Sequence, residues 1–162
     1  MHDIRLATIA DIPVIARHRV RMFEEMKLLS PREAQAMIDL TVPFLERAMP
    51  SGEYVGWLAV DSANPCVVAG GAGLQQRTVL PFPFGGGGGV GSGREALVIN
   101  VYTEPEFRRL GLARRMMEAL IEWSKARGIE RIALHASPDG RPLYESLGFL
   151  NTNELRLPLP PP

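Results

Sequence analysis

Arg108-Arg109-Leu110-Gly111-Leu112-Ala113-Arg114 sets three arginines around two small residues, immediately after the apolar run Ala96 to Thr103 and the proline at 105. That order of types predicts a strand, a bounded loop and then a helix from about Gly111 to Arg127. The first amides of a helix lack internal partners and carry the positive end of its dipole, so this is where an anion such as a pyrophosphate binds. Gly111 and Ala113 keep side chains out of its way, and Arg108, Arg109 and Arg114 add positive charge.

Strand alternation along the same run puts Asn100, Tyr102 and Glu104 on one side and Ile99, Val101 and Thr103 on the other. Glu104 is therefore a candidate general base, in competition with a solvated glutamate and with a water relay to Asn100 or to an N-terminal acid. His2, His18 and His135 have no metal-ligand spacing with one another or with Cys66, so no metal is expected. Cys66 reads as a buried strand cysteine. A formal GxGxxG at Gly86, Gly88 and Gly91 is rejected as a dinucleotide fingerprint, because the next segment, Arg94 to Val98, is strand rather than helix.

These residues need elements to hold them. Ile4 to Ala7 reads as a short strand, and Thr8 with Asp11 as the start of a helix to about Met26, with an apolar stripe of Ile12, Ile15, Ala16, Val20 and Phe23. Ser30-Pro31-Arg32-Glu33 repeats the start signal for a second helix. Tyr54 to Val60 and Pro65 to about Val79 form an antiparallel hairpin. Residues 81–93 read as a mobile glycine-rich loop, near the entrance for a second substrate. A strand at Arg131 to Ala136 completes a βαβ unit with Ala96 to Thr103, so those two strands are parallel neighbours. A short helix ends at Leu147-Gly148-Phe149, Glu154 to Leu159 is a candidate last strand, and residues 158–162 form a proline-rich tail.

The set Arg108, Gly111 and Ala113 resembles the coenzyme A motif of the GNAT acetyltransferase superfamily, which runs Arg or Gln, two residues, Gly, one residue, then Gly or Ala. Leu143-Tyr144-Glu145-Ser146-Leu147-Gly148-Phe149 is similar to the family's closing helix and turn. The resemblance implies one domain over 1–162, an α/β fold with a mixed, largely antiparallel sheet, a central parallel strand pair and helices on both faces. It implies that acetyl-CoA is the cosubstrate and that acetyl passes directly to a primary amine of a small molecule or peptide. Backbone groups of Val101, Tyr102 and Thr103 would align the pantetheine arm, and amides from Arg109 through Leu110, Gly111, Leu112 and Ala113 to Arg114 would take the pyrophosphate. Tyr144 matches the position of the acid that protonates the departing thiolate. Ser137 stands where many members carry asparagine; it bonds the pantetheine or caps the short helix. Glu24 and Glu25 lie on the helix that borders the acceptor site in this family. A homodimer is left open. The alternative is a coenzyme A-binding sensor or interaction module with little catalysis.

Composition limits the partners. Lysine plus arginine equals aspartate plus glutamate, 18 each in 162 residues, so no basic excess marks a nucleic-acid binder. No apolar run approaches the roughly 20 residues of a membrane span. A single cysteine and no signal-peptide pattern point to the cytoplasm.

Overall fold

The structure, a computed structural model, describes residues 1–152 and 154–159. Strand β1 (His2–Leu6) passes through a 3-10 turn, Ile9–Asp11, into helix α1 (Ile12–Glu25). The turn is set locally, since the Asp11 carboxylate accepts the Thr8 amide at 2.7 Å and the Arg5 guanidinium at 2.8 Å. Arg5 above all holds the Asp11 carboxyl down, at about 2. Helix α2 (Ala34–Ala48) comes after the Ser30–Glu33 pair, in which the Ser30 amide donates to the Glu33 carboxylate at 2.9 Å. Both start signals close the turn just ahead of the helix proper.

Strands β2 (Tyr54–Asp61), β3 (Val68–Thr78), β4 (Phe82–Pro83), β5 (Val90–Gly91) and β6 (Arg94–Thr103) come next, then helix α3 (Leu112–Ala126), strand β7 (Arg131–Leu134) and helix α4 (Arg141–Ser146). One sheet runs in the order β1-β2-β3-β6-β7, antiparallel except for β6 and β7; β4 and β5 pair separately. Among the described residues the parallel pair thus lies at one end of the sheet rather than at its centre. Residues 154–159 carry no strand, contrary to the sequence expectation, and Pro160, Pro161 and Pro162 of the expected tail lie outside the described residues.

Alternation sends side chains of the sheet to opposite faces. Ile12, Ile15 and Leu45 of α1 and α2 pack with Tyr54 and Leu58 on one face. Met117 and Leu120 of α3 pack with Trp57, Leu74, Ala96 and Val98 on the other. Each fully buried leucine here contributes roughly 1.5–3 kcal/mol.

Two irregularities prepare the site. Ile99 faces Gly73 and Tyr102 faces Gly71, so Asn100 and Val101 together oppose Ala72, a β-bulge. Asn100 sits at φ 59. The extra residue turns Ile99 to the α1 face, where it packs with Ile12 and Leu58, while Val101 packs on the α3 face with Val98. The expected alternation of Asn100, Tyr102 and Glu104 against Val101 and Thr103 stands; Ile99 changes sides because of the bulge. Second, β7 pairs with β6 only from Glu95 to Val98, so backbone groups beyond Val98 that point away from β3 have no strand partner.

The glycine-rich segment folds as the β4–β5 hairpin, closed by Phe84 donating to the Gly89 carbonyl at 3.0 Å. It lies at the start of β6, and ten residues of strand, about 30 Å, separate it from the turn after Thr103. Cys66 departs from the expected buried strand position: it is exposed, in the turn between β2 and β3.

Candidate active site

Between Thr103 and α3 the chain makes a 3-10 turn, Pro105–Phe107, and then takes two left-handed steps, Arg109 at φ 64 and Gly111 at φ 73. Gly111 is the N-cap of α3, and a methyl group added there would meet open space, so its backbone conformation rather than crowding calls for glycine. The first internal bond of the helix is Arg115 N–H to the Gly111 carbonyl, at 3.1 Å. Among the described residues, none of the six amides from Arg109 to Arg114 has an internal acceptor. A row of unpaired donors at the positive end of a 15-residue helix, opening to solvent at Leu110 and Gly111, fits a pyrophosphate.

The arginines divide the work differently from the sequence expectation. Arg108 donates two hydrogen bonds to the Glu25 carboxylate, at 2.8 and 2.7 Å, and its Nε donates to the Thr103 carbonyl at 2.9 Å. Its guanidinium therefore ties the end of α1 to the loop after β6. Arg114 donates to the Ser146 hydroxyl of α4 at 2.7 Å. The Arg109 side chain is exposed and has no carboxylate partner among the described residues.

On the α1 face, Glu104 is 5% exposed and set among basic side chains of α1. Arg21 donates to one of its oxygens, while Arg17 and His18 approach the other at 3.8 and 3.3 Å. Burial pushes the His18 imidazole down to about 4, against the pull of Glu104, so it is neutral near pH 7. Its Nε2 lies off the line of a hydrogen bond to Glu104, and neither ring nitrogen has a hydrogen-bond partner among the described residues. The ring borders a cavity of about 10 Å³, enough for one water, lined also by Tyr54, Gly71, Ala72 and Asn100. Tyr102 donates to Glu25 at 2.8 Å; burial first, then that glutamate, push its phenol up to about 12.

Tyr144 sits on α4, edge-on to Phe149 with ring centroids 6.0 Å apart, and packs on the α3-side core. Burial raises its phenol above the ordinary value, so it holds its proton near pH 7. Ser137 does not begin α4; Gly140 is the N-cap, and the Ser137 hydroxyl accepts the Gly140 amide at 3.2 Å. Pro142 falls at the second helical position, where no amide is required.

The structure thus gathers Val101, Tyr102, Thr103 and the 109–114 turn at the end of β6 where β7 has separated, and commits Glu25, Glu104 and Arg108 to fastening α1 there. Tyr54, Arg19 and His18, which sequence reasoning passed over as site residues, lie under the bulge. Their link to Asn100 spans 81 residues for Arg19, a separation no local pattern reports. No group of histidine, cysteine, aspartate and glutamate among the described residues is arranged to hold a metal ion. No helix among them is long and apolar enough to cross a membrane.

Comparison with known proteins gives the arrangement a context. The family model described as "Acetyltransferase (GNAT) family" matches residues 15–149. A GCN5-related N-acetyltransferase from Ralstonia eutropha superimposes with a TM-score of 0.86 at 26% identity, covering 98% of this chain and 99% of that one. A predicted acetyltransferase from Clostridium acetobutylicum, crystallised with acetyl-CoA, gives 0.81 at 26% identity over 98% and 96%. A chloroplastic GCN5-related N-acetyltransferase of Arabidopsis thaliana is 34% identical over 76 residues, 47% of this chain but only 38% of that relative.

Proposed function

The chain belongs to the GNAT acetyltransferase family, and on that footing we propose that it is an acetyl-CoA-dependent N-acetyltransferase acting on a primary amine of a small molecule or peptide. One observation carries the reading: six consecutive amides, Arg109 to Arg114, unpaired among the described residues, stand at the end of a strand whose parallel neighbour has parted from it. Acetyl-CoA, the cosubstrate, supplies the acetyl group as a thioester. The amides of the turn hold its pyrophosphate, and backbone groups of Val101, Tyr102 and Thr103 align the pantetheine arm along the open side of β6.

As the amine nitrogen bonds to the thioester carbon, the carbonyl oxygen gains charge and a backbone donor of the bulged strand stabilises it. The carbon–sulfur bond then breaks, and Tyr144, protonated near pH 7, delivers a proton to the leaving thiolate. The amine proton passes to Glu104 through water, since the carboxylate itself is buried under Arg21. Ser137 fixes the loop ahead of α4 and so the direction from which Tyr144 approaches.

Thiol release from acetyl-CoA across a panel of primary amines tests this. Wild type should turn over with at least one amine, and Tyr144→Phe should lower kcat by about 100-fold while the Kd for coenzyme A stays the same. Tight coenzyme A binding with no release for any amine would instead mean a coenzyme A sensor, and an unaltered kcat in Tyr144→Phe would remove the acid assignment.

A further inference from the structure

Asn100 combines three uncommon properties. It is a non-glycine residue in the left-handed region at φ 59, it is 5% exposed, and it is the extra residue of a bulge two positions past the last parallel pair. A buried non-glycine residue in the left-handed region persists only where its surroundings hold it there. Those surroundings come from α1 and β2. Arg19 Nη1 donates to Asn100 Oδ1 at 2.7 Å, and the Arg19 guanidinium lies over the Phe23 ring, 4.9 Å from its centroid.

Arg19 differs from its neighbours on α1. Arg17 and Arg21 face Glu104, whereas Arg19 is partly buried with no carboxylate partner among the described residues, and burial lowers its pKa. A cation desolvated without a counter-charge is costly, and here the Asn100 carbonyl and the Phe23 ring face offset part of that cost. Tyr54 completes the arrangement. Burial pushes its phenol up, against the Asn100 amide and the Arg19 guanidinium, which pull it down. Its ring lies across Gly73, where a methyl group would come within 2.1 Å of the phenol oxygen, so β3 is hollowed to admit it.

We propose that Arg19, with Tyr54, is a positioning residue for acetyl transfer: it locks Asn100 in the left-handed bulge and thereby aims the backbone of β6 at the reacting carbonyl. Arg19 touches neither substrate nor cosubstrate; it acts through Asn100. Without the lock, Asn100 relaxes toward extended geometry, the bulge slides, and the donor stabilising the carbonyl oxygen turns away. This rests on the acetyltransferase reading above, so wild-type turnover is established first.

The test is steady-state kinetics on Arg19→Met, which keeps the aliphatic stem over Phe23 but loses the donor, and on Arg19→Lys, which restores a donor. Arg19→Met should lower kcat about tenfold or more, by a similar factor for every accepted amine, with KM for acetyl-CoA within about threefold. Arg19→Lys should recover much of the loss, and Tyr54→Phe, a smaller change in the same lock, should fall in the same direction if Arg19→Met does not fold. A folded Arg19→Met with wild-type kcat overturns the proposal. A loss confined to amines that also carry a carboxylate overturns it too, and places Arg19 in the acceptor pocket instead. A wild type that binds acetyl-CoA but releases no thiol defeats the parent reading and this inference with it.

Discussion

Two segments of this chain take left-handed turns, one rich in glycine and one with a single glycine, and they make opposite use of their amides. In the β4–β5 hairpin, Gly85, Gly86, Gly87, Gly89 and Gly93 have positive φ, as do Arg109 and Gly111 in the turn before α3. The hairpin's converging donors are already taken: the Glu130 carboxylate accepts the amides of Ser92, Gly93 and Arg94 at 2.9, 3.0 and 3.0 Å, and the Ser92 hydroxyl at 3.1 Å. A carboxylate of the chain itself occupies the concavity where a ligand anion would sit. At the α3 turn the amides from Arg109 to Arg114 have no such acceptor among the described residues. Glycine content therefore does not by itself leave amides open to an anion; what the rest of the chain has already paired decides that.

Substitutions can break that contrast from either side. Gly111→Val forces a β-branched residue to φ 73, a conformation that costs an ordinary residue roughly 1–2 kcal/mol, and brings side-chain bulk to the open amides. Calorimetric titration should show acetyl-CoA binding weakened about tenfold or more, with the fold retained; an unchanged Kd would mean the amides are not the site. Arg108→Ala should do less, because its guanidinium holds Glu25 rather than the turn. An exposed ion pair contributes up to about 1 kcal/mol, so a small drop in Tm and only a few-fold rise in Kd are expected. A collapse of binding would restore Arg108 to the phosphate.

Smaller still are the changes expected from the hairpin. Glu130→Ala should speed hydrogen exchange at Ser92, Gly93 and Arg94 while leaving the Kd for acetyl-CoA within about twofold. Acid should do the same reversibly. The Ser92 amide first, with those of Arg94 and Gly93, holds the Glu130 carboxyl below its ordinary value. Its stabilisation is therefore complete above the unfolded carboxylate range, about 4.3, and is lost as pH falls through the lower folded value. Exchange at these amides, corrected for the intrinsic rate, should rise over that window; constancy would mean that the carboxylate does not hold the hairpin. Gly87→Ala, in open space at φ 81, should barely alter binding or turnover.

Legibility in the sequence divides along the same line. The geometry of the α3 turn was legible because its signals are local: a strand, a proline, a left-handed glycine and a helix start are all written within about a dozen residues. The element order and the parallel pair were legible through periodicity for the same reason. Glu130 is 36 to 38 residues from the amides it closes, Arg19 is 81 from Asn100, and Glu25 is 83 from Arg108. Long-range partners of this kind leave no spacing to read. The bulge at Asn100 was equally hidden, since one extra residue shifts the alternation before it, Val98 and Ile99 alike, against the alternation after it, and leaves no mark in residue types.

The central claim is that acetyl-CoA is held by the backbone of the turn before α3. The most direct measurement is the amide ¹H–¹⁵N spectrum titrated with acetyl-CoA. Selective, saturable shifts at Leu110, Gly111, Leu112, Ala113 and Arg114, with Gly85 to Gly89 and Ser92 to Arg94 unmoved, are the predicted result. Saturable binding that leaves 110–114 in place, or that shifts the hairpin glycines instead, would contradict the account.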